Sequence, residues 1–173
     1  CLPLGSWRAR EPYKRLCGLL PSEPLPLMSK MPYLCIANRI DMITVERYHD
    51  ISMGHRVVGH ESKCRHLHGH NYRIHFVCSA SELDPLGRVI DFSEIRDRLC
   101  MWLEEHWDHR MMIWSEDPLL PELQRLVPGD LCIVPFNPTA EQIAIHLVSV
   151  VGPEQLKGSG ITLLECRVEE TRK

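Results

Sequence analysis

Across its 173 residues, the sequence has no apolar run approaching the roughly 18 to 20 residues that a membrane-spanning helix needs, which excludes that class. It has no basic field either. Twenty Lys and Arg against 23 Asp and Glu leave a formal charge of −3, which argues against a general nucleic-acid binder. The apolar core of a signal peptide is missing, because Pro21, Pro24 and Pro26 interrupt the only candidate stretch. There is no glycine-rich phosphate loop, no dinucleotide or flavin fingerprint, no internal repeat and no low-complexity segment. A disulfide framework is not indicated. The eight cysteines lie scattered at positions 1, 17, 35, 64, 78, 100, 132 and 166, and Cys78, Cys100, Cys132 and Cys166 sit inside apolar runs, where a thiol behaves as a small hydrophobe. A reducing, cytoplasmic setting is the expectation.

What is present is an ordinary globular composition, 44% hydrophobic and 25% charged, at a length that suits one domain. Its charge divides unevenly. Residues 1–41 carry six Lys and Arg, three Asp and Glu, and six of the thirteen prolines; the remaining 132 residues carry 14 basic and 20 acidic side chains. We read 1–41 as a leader that is disordered or lies upstream of the true start, and 42–173, opening at Met42, as the working domain.

Within 42–173 the periodicities are clear. Ile43, Val45 and Arg47 alternate with polar neighbours, as in a half-buried strand. Over 71–78, Tyr72, Ile74, Phe76 and Cys78 fall on one face and Arg73 and His75 on the other, a second strand. Asp91 and Glu94 have capping-box spacing. The stripe Ile95, Leu99, Trp102, Leu103, His106 then marks an amphipathic helix. Residues 115–130 read as irregular and Pro-punctuated, and 131–136 as a short strand. Asn137 and Pro138 read as N-cap and first turn of a second helix, with Ala140, Ile143, Ala144, Leu147 and Val150 or Val151 as its buried stripe. Leu164, Cys166 and Val168 share one face of a last strand, and Glu170 has their parity. The expected fold is α+β with two layers, an antiparallel four-stranded sheet carrying two helices on one face.

Ten histidines are the other excess. The densest group is Cys64-Arg-His66-Leu-His68-Gly-His70. On an extended chain His68 and His70 point the same way, so two imidazoles can reach one metal ion. A catalytic zinc site takes about three protein ligands and keeps a fourth position open. His55 is the best third candidate, since it ends the first strand and a hairpin would bring it opposite; His49, His60, His66 and His75 remain possible on composition. Cys64 is either a fourth ligand closing the site or a nucleophile or base beside an open one. Asp108 next to His109 has the makings of a proton relay. Glu170, a carboxylate on the parity of a buried face, needs a partner. Thr139 and Glu141 open a helix, where capping is their first role.

Several blocks together resemble the 6-pyruvoyl-tetrahydropterin synthase family. They are Ser52-Met-Gly-His55, Lys63-Cys-Arg-His-Leu-His-Gly-His70, Gly87-Arg-Val-Ile-Asp-Phe92, Trp107-Asp-His109, Asn137-Pro-Thr-Ala-Glu141 and Val168-Glu-Glu-Thr171. Cys64 precedes His68 by four, which is similar to the branch that makes 6-carboxy-5,6,7,8-tetrahydropterin for queuosine (7-deazaguanine) biosynthesis. The animal 6-pyruvoyl branch places its Cys further away. A folate-linked branch carries Glu beside or in place of the Cys, where this chain has Arg65. Gly54 departs from the family's usual Ala.

The resemblance implies a tunnelling fold, with His55, His68 and His70 as zinc ligands and Cys64 as a proton acceptor rather than a ligand. It implies Asp108 and His109 as a relay on the far side of the substrate. Glu170 would anchor the pterin ring and also count in the relay, and Thr139 and Glu141 would line the pterin end. The implied substrate is a small pterin, 7,8-dihydroneopterin triphosphate, with no nucleic-acid or membrane partner. The implied assembly is a homohexamer, a dimer of trimers with sites at subunit interfaces. Alternatives on the same residues are 6-pyruvoyl-tetrahydropterin synthesis or a non-catalytic zinc- or pterin-binding module.

Overall fold

Long alternating stretches and two amphipathic stripes build a sheet with helices on one side. The structure, a computed structural model, describes residues 6–10 and 43–170. The strands are β1 (Ser6–Arg10), β2 (Thr44–His55), β3 (His68–Ala80), β4 (Met111–Trp114), β5 (Leu131–Val134) and β6 (Ile161–Glu170). They form one sheet in the order β1-β6-β3-β2-β4-β5.

The α+β class is as expected, but the sheet is mixed and six-stranded rather than antiparallel and four-stranded. β1, β6, β3 and β2 pair antiparallel, whereas β4 joins β2 in parallel and β5 joins β4 in parallel. The parallel pairs follow from the connections, since a helix lies between β2 and β4 in the chain and another between β4 and β5. β4, the run Met-Met-Ile-Trp, has no period-2 alternation and so carries no strand signature. β1 belongs to the segment expected to be a leader. It pairs with β6 from Ser6 opposite Glu169 to Arg10 opposite Glu165. The rest of that segment lies outside the described residues.

The first long helix, α1, runs over 92–106 and contains a π-helical stretch, Arg96–Cys100. Asp91 caps it by accepting from the Ser93 N–H at 2.8 Å, while Glu94 pairs with Arg98 instead of closing a capping box. The wider π turn shifts the phase of the stripe. Ile95, Leu99, Cys100, Leu103 and Trp107 are buried, and Trp102 stacks on the exposed His106 ring. A short helix, α2 (Leu120–Leu126), occupies the stretch that reads as irregular. Its Pro121 sits in the first turn, where a missing N–H costs nothing. The second long helix, α3, covers 140–155, again with a π-helical stretch, Leu147–Val151. Its cap is Thr139, not Asn137.

Both long helices pack on the same sheet face. Ile51 and Met53 of β2, Tyr72, Ile74, Phe76 and Cys78 of β3, and Leu163, Cys166 and Val168 of β6 meet Ile95, Leu99 and Leu103 of α1 and Ile143, Ala144, Leu147, Val148 and Val151 of α3 in one core. A bulge against Val77 and Cys78 turns Leu163, not Leu164, into that core. At Gly152 the α3 backbone lies so close to β6 that a Cβ would stand 2.7 Å from Leu163 Cδ2. The opposite sheet face carries charge: Asp50 accepts twice from Arg73, and Arg167 reaches Glu46 at 3.1 Å and Glu169 at 3.3 Å. Among the described residues no helix is long and apolar enough to cross a membrane.

Candidate metal centre and catalytic residues

The register of the β2–β3 hairpin builds the site. His55 lies opposite His68 and Met53 opposite His70, and all three imidazoles share the helix-covered face. Their ligand atoms lie within 4.8 Å of one another, the geometry of a group that could hold a metal ion. The alternatives for the third position lie outside that group. His49 bonds Glu104 at 2.7 Å, His60 accepts from the Ser62 N–H, and His75 sits between Glu46 and Glu169 on the charged face. His66 supplies its carbonyl to His68.

Backbone carbonyls fix the tautomers. His55 Nδ1 donates to the Pro138 carbonyl at 2.8 Å, and His68 Nδ1 donates to the His66 carbonyl at 2.7 Å. Each ring therefore turns Nε2 inward as a bare lone pair, and both of these Nε2 atoms are buried with no hydrogen-bond partner. An orphaned buried nitrogen is costly unless something binds it. Burial, with repulsion from His68 and His70, outweighs the Pro138 bond and pushes the His55 imidazole down to about 4. A neutral imidazole is the form that ligates metal.

Two features that sequence reading missed hold His55 in place. Asn137 clamps Val58 through both backbone groups, accepting from its N–H and donating to its carbonyl, each at 2.8 Å. That ties the strand end after His55 to the loop that supplies the Pro138 carbonyl. Next to His55, Arg56 Nε stands 3.2 Å from the buried Asp117 carboxylate. The only sequence signal for the clamp was the Asn-Pro-Thr block, read there as a helix start.

Cys64 lies in a one-turn 3₁₀ helix, Lys63–Arg65, whose fold-back is closed by the Val57 N–H donating to the Cys64 carbonyl at 2.8 Å. Cys64 is half-buried with a free thiol, and the Val57 bond ties it to the chain two residues beyond His55. Tyr72 packs edge-on to His55 and His70. Cys78, Cys100, Cys132 and Cys166 are also free thiols, and burial pushes each one up, Cys78 to about 12 and Cys132 to about 11.

Glu170 ends β6 opposite Tyr72. Its oxygens stand 3.9 Å from His55 Nε2 and 3.8 Å from His70 Nε2, and the Tyr72 hydroxyl donates to Oε1 at 3.5 Å. The carboxylate thus borders the three-histidine group. Thr139 caps α3 by accepting from the Gln142 N–H at 3.3 Å, and Glu141 lies half-buried in the first turn.

Asp108 and His109 form a second group. Asp108 Oδ1 accepts from the Ser52 N–H at 2.8 Å, and Oδ2 accepts from His109 Nδ1 at 2.6 Å. Burial works against the Asp108 charge, but the Ser52 and His109 bonds outweigh it and hold the carboxyl below its usual range. His109 has φ 56°, left-handed backbone that a histidine rarely adopts, while its own N–H donates to the Ser52 carbonyl at 2.6 Å. Its imidazole is 81% exposed, aimed outward with Nδ1 tethered and Nε2 free to exchange a proton.

The sequence model of the family described as 6-pyruvoyl tetrahydropterin synthase matches residues 43–173. The chain is 33% identical over 131 residues to the 6-carboxy-5,6,7,8-tetrahydropterin synthase of Rickettsia felis, covering 75% of this chain and 95% of that protein. In fold it is similar to the crystal structure of an uncharacterised protein from Wolinella succinogenes, with a TM-score of 0.65 and 24% identity over 76% of this chain and 94% of that one. It is also similar to the 6-pyruvoyl tetrahydropterin synthase of Caenorhabditis elegans, with a TM-score of 0.52 and 24% identity over 75% and 89% of the two chains.

Proposed function

The chain belongs to the 6-pyruvoyl tetrahydropterin synthase family, and from that premise we propose that it is a zinc-dependent lyase. It converts 7,8-dihydroneopterin triphosphate and one water to 6-carboxy-5,6,7,8-tetrahydropterin, acetaldehyde and triphosphate, in 7-deazaguanine (queuosine) biosynthesis. The observation that carries the reading is the pair of inward, partnerless Nε2 atoms of His55 and His68 beside His70, with a free thiol, Cys64, nearby. Three imidazole nitrogens are the ligand set of an open zinc site, which keeps a fourth position for substrate. The identity of the relatives as 6-carboxy-5,6,7,8-tetrahydropterin synthases supports the choice of product.

Bound zinc would supply Lewis acidity to oxygens of the substrate side chain. The chain's own residues do the rest. Glu170 accepts the parallel N–H donors of the pterin's guanidine-like edge, as carboxylates do in bidentate pairing. Thr139 and Glu141 line that end. Cys64, as thiolate, takes a carbon-bound proton, and His109 exchanges one at Nε2 while Asp108 holds Nδ1–H and steadies the charged ring. The two groups of residues are proposed to meet across subunit interfaces in a homohexamer, a dimer of trimers. The free thiols of the described residues fit a cytoplasmic, reducing location.

The test is Cys64→Ala. We expect one zinc per chain by metal analysis, retained in the variant, with turnover lost. Unchanged turnover would remove Cys64 from the chemistry. Loss of zinc with the thiol would favour instead a closed site and a non-catalytic module.

A further inference from the structure

Glu170 is the last described residue of β6, and its side chain is 36% exposed. A glutamate at a strand end, open on one side, has several rotamers of similar energy. Recognition of a flat ring edge requires one of them. Among the described residues, three groups approach the carboxylate. The imidazole nitrogens of His55 and His70 stand at 3.9 and 3.8 Å, beyond hydrogen-bond reach, and both would be lone-pair donors to a metal. The third is the Tyr72 hydroxyl at 3.5 Å, which carries a proton to give.

Tyr72 is built to keep that hydroxyl in place. It lies directly opposite Glu170 in the β3–β6 register and is fully buried. Its ring meets His55 edge-on, with centroids 5.8 Å apart at 84°, and His70 likewise, at 5.7 Å and 87°. One rigid aromatic body therefore touches two of the three imidazoles and the carboxylate. A hydroxyl has a second advantage over Lys or Arg in this role, because it orients Glu170 without neutralising it, leaving its charge for the ligand.

We propose that Tyr72 is a positioning residue: its hydroxyl selects the Glu170 rotamer that receives the pterin ring, and its ring couples that carboxylate to the histidine group. The inference rests on the pterin reading above. Tyr72 does not touch the reacting atoms; it acts through Glu170.

The test is Tyr72→Phe, which keeps the ring and removes only the hydroxyl, measured on the zinc-loaded protein. The probe is neopterin, followed by its own fluorescence, with zinc content determined in parallel. We expect unchanged zinc content, neopterin binding weakened at least roughly tenfold, as for loss of one hydrogen bond to a charged group, and a rise in KM larger than the fall in kcat. In a Glu170→Gln background the same substitution should change binding less than twofold, because a residue that acts through the carboxylate has no further effect once the charge is gone. Equal binding by wild type and Tyr72→Phe, or full additivity with Glu170→Gln, would overturn the assignment. Failure of the wild-type protein to bind neopterin would overturn the pterin reading and this inference with it.

Discussion

His55 stores a pH dependence that can be measured without substrate. Its side chain is 2% exposed, and burial together with His68 and His70 pushes its imidazole from 6.5 down to about 4. Between these values the unfolded chain binds a proton that the folded chain refuses, so stability rises with pH across that window. The contribution is complete above about pH 6.5 and lost as pH falls through about 4. The gap corresponds to about 3 kcal/mol, at about 1.4 kcal/mol for each pH unit. His55→Asn keeps an N–H near the Pro138 carbonyl and cannot titrate. The assay is urea unfolding of metal-free wild type and variant at one protein concentration from pH 4.5 to 7.5. Every other titrating group cancels in the difference, apart from the small relief that the variant gives His68 and His70. We expect the two stability curves to converge towards low pH, with the wild-type advantage shrinking by about 2 to 3 kcal/mol over the range. Parallel curves would refute the claim that His55 is held neutral by the fold.

Further substitutions test the scaffold. Gly152→Ala places a Cβ 2.7 and 2.8 Å from Leu163 atoms and 3.1 Å from the Leu147 carbonyl. It should cost about 2 kcal/mol and lower Tm by roughly 4 to 8 °C; an unchanged melt would mean that α3 does not sit as close to β6 as described. Asn137→Ala removes both bonds to Val58 and should weaken zinc affinity by roughly tenfold through the loosened Pro138 carbonyl, as read by competition with a chelator; wild-type affinity would show the clamp to be irrelevant to the site. His109→Asn relieves left-handed strain, since Asn tolerates that region, and should leave Tm equal or higher while kcat falls at least about a hundredfold. A drop in Tm alongside kcat would assign His109 to stability instead.

The legible parts of this molecule were those governed by one local period. The alternation of Tyr72, Ile74, Phe76 and Cys78 gave β3, and its extension to lower numbers places His68 and His70 on the same face. The apolar stripe of α3 was legible in the same way. The misreadings arise where two elements share a decision. The phase of α1 depends on its π-helical stretch, which no side-chain pattern announced. β4 is a strand because β2 and β5 flank it, and α2 forms despite Pro121 because the proline falls in its first turn. Asn137 had the chemistry of a cap, but Val58, 79 positions away, took both ends of its amide, so Thr139 caps the helix. At the site, residue types and spacing pointed to His68 and His70 with His55 as the best third candidate, and the family resemblance implied the full set with Cys64 beside it. Neither could show the carbonyls of Pro138 and His66 or the Tyr72 hydroxyl beside Glu170, because each is a contact made by the fold.

The most direct measurement is incubation of the zinc-loaded protein with 7,8-dihydroneopterin triphosphate and identification of what forms. The account predicts acetaldehyde released in equal amount to 6-carboxy-5,6,7,8-tetrahydropterin. Turnover to 6-pyruvoyl-tetrahydropterin with no acetaldehyde would contradict the assigned product, and no turnover by zinc-loaded protein would contradict the enzyme.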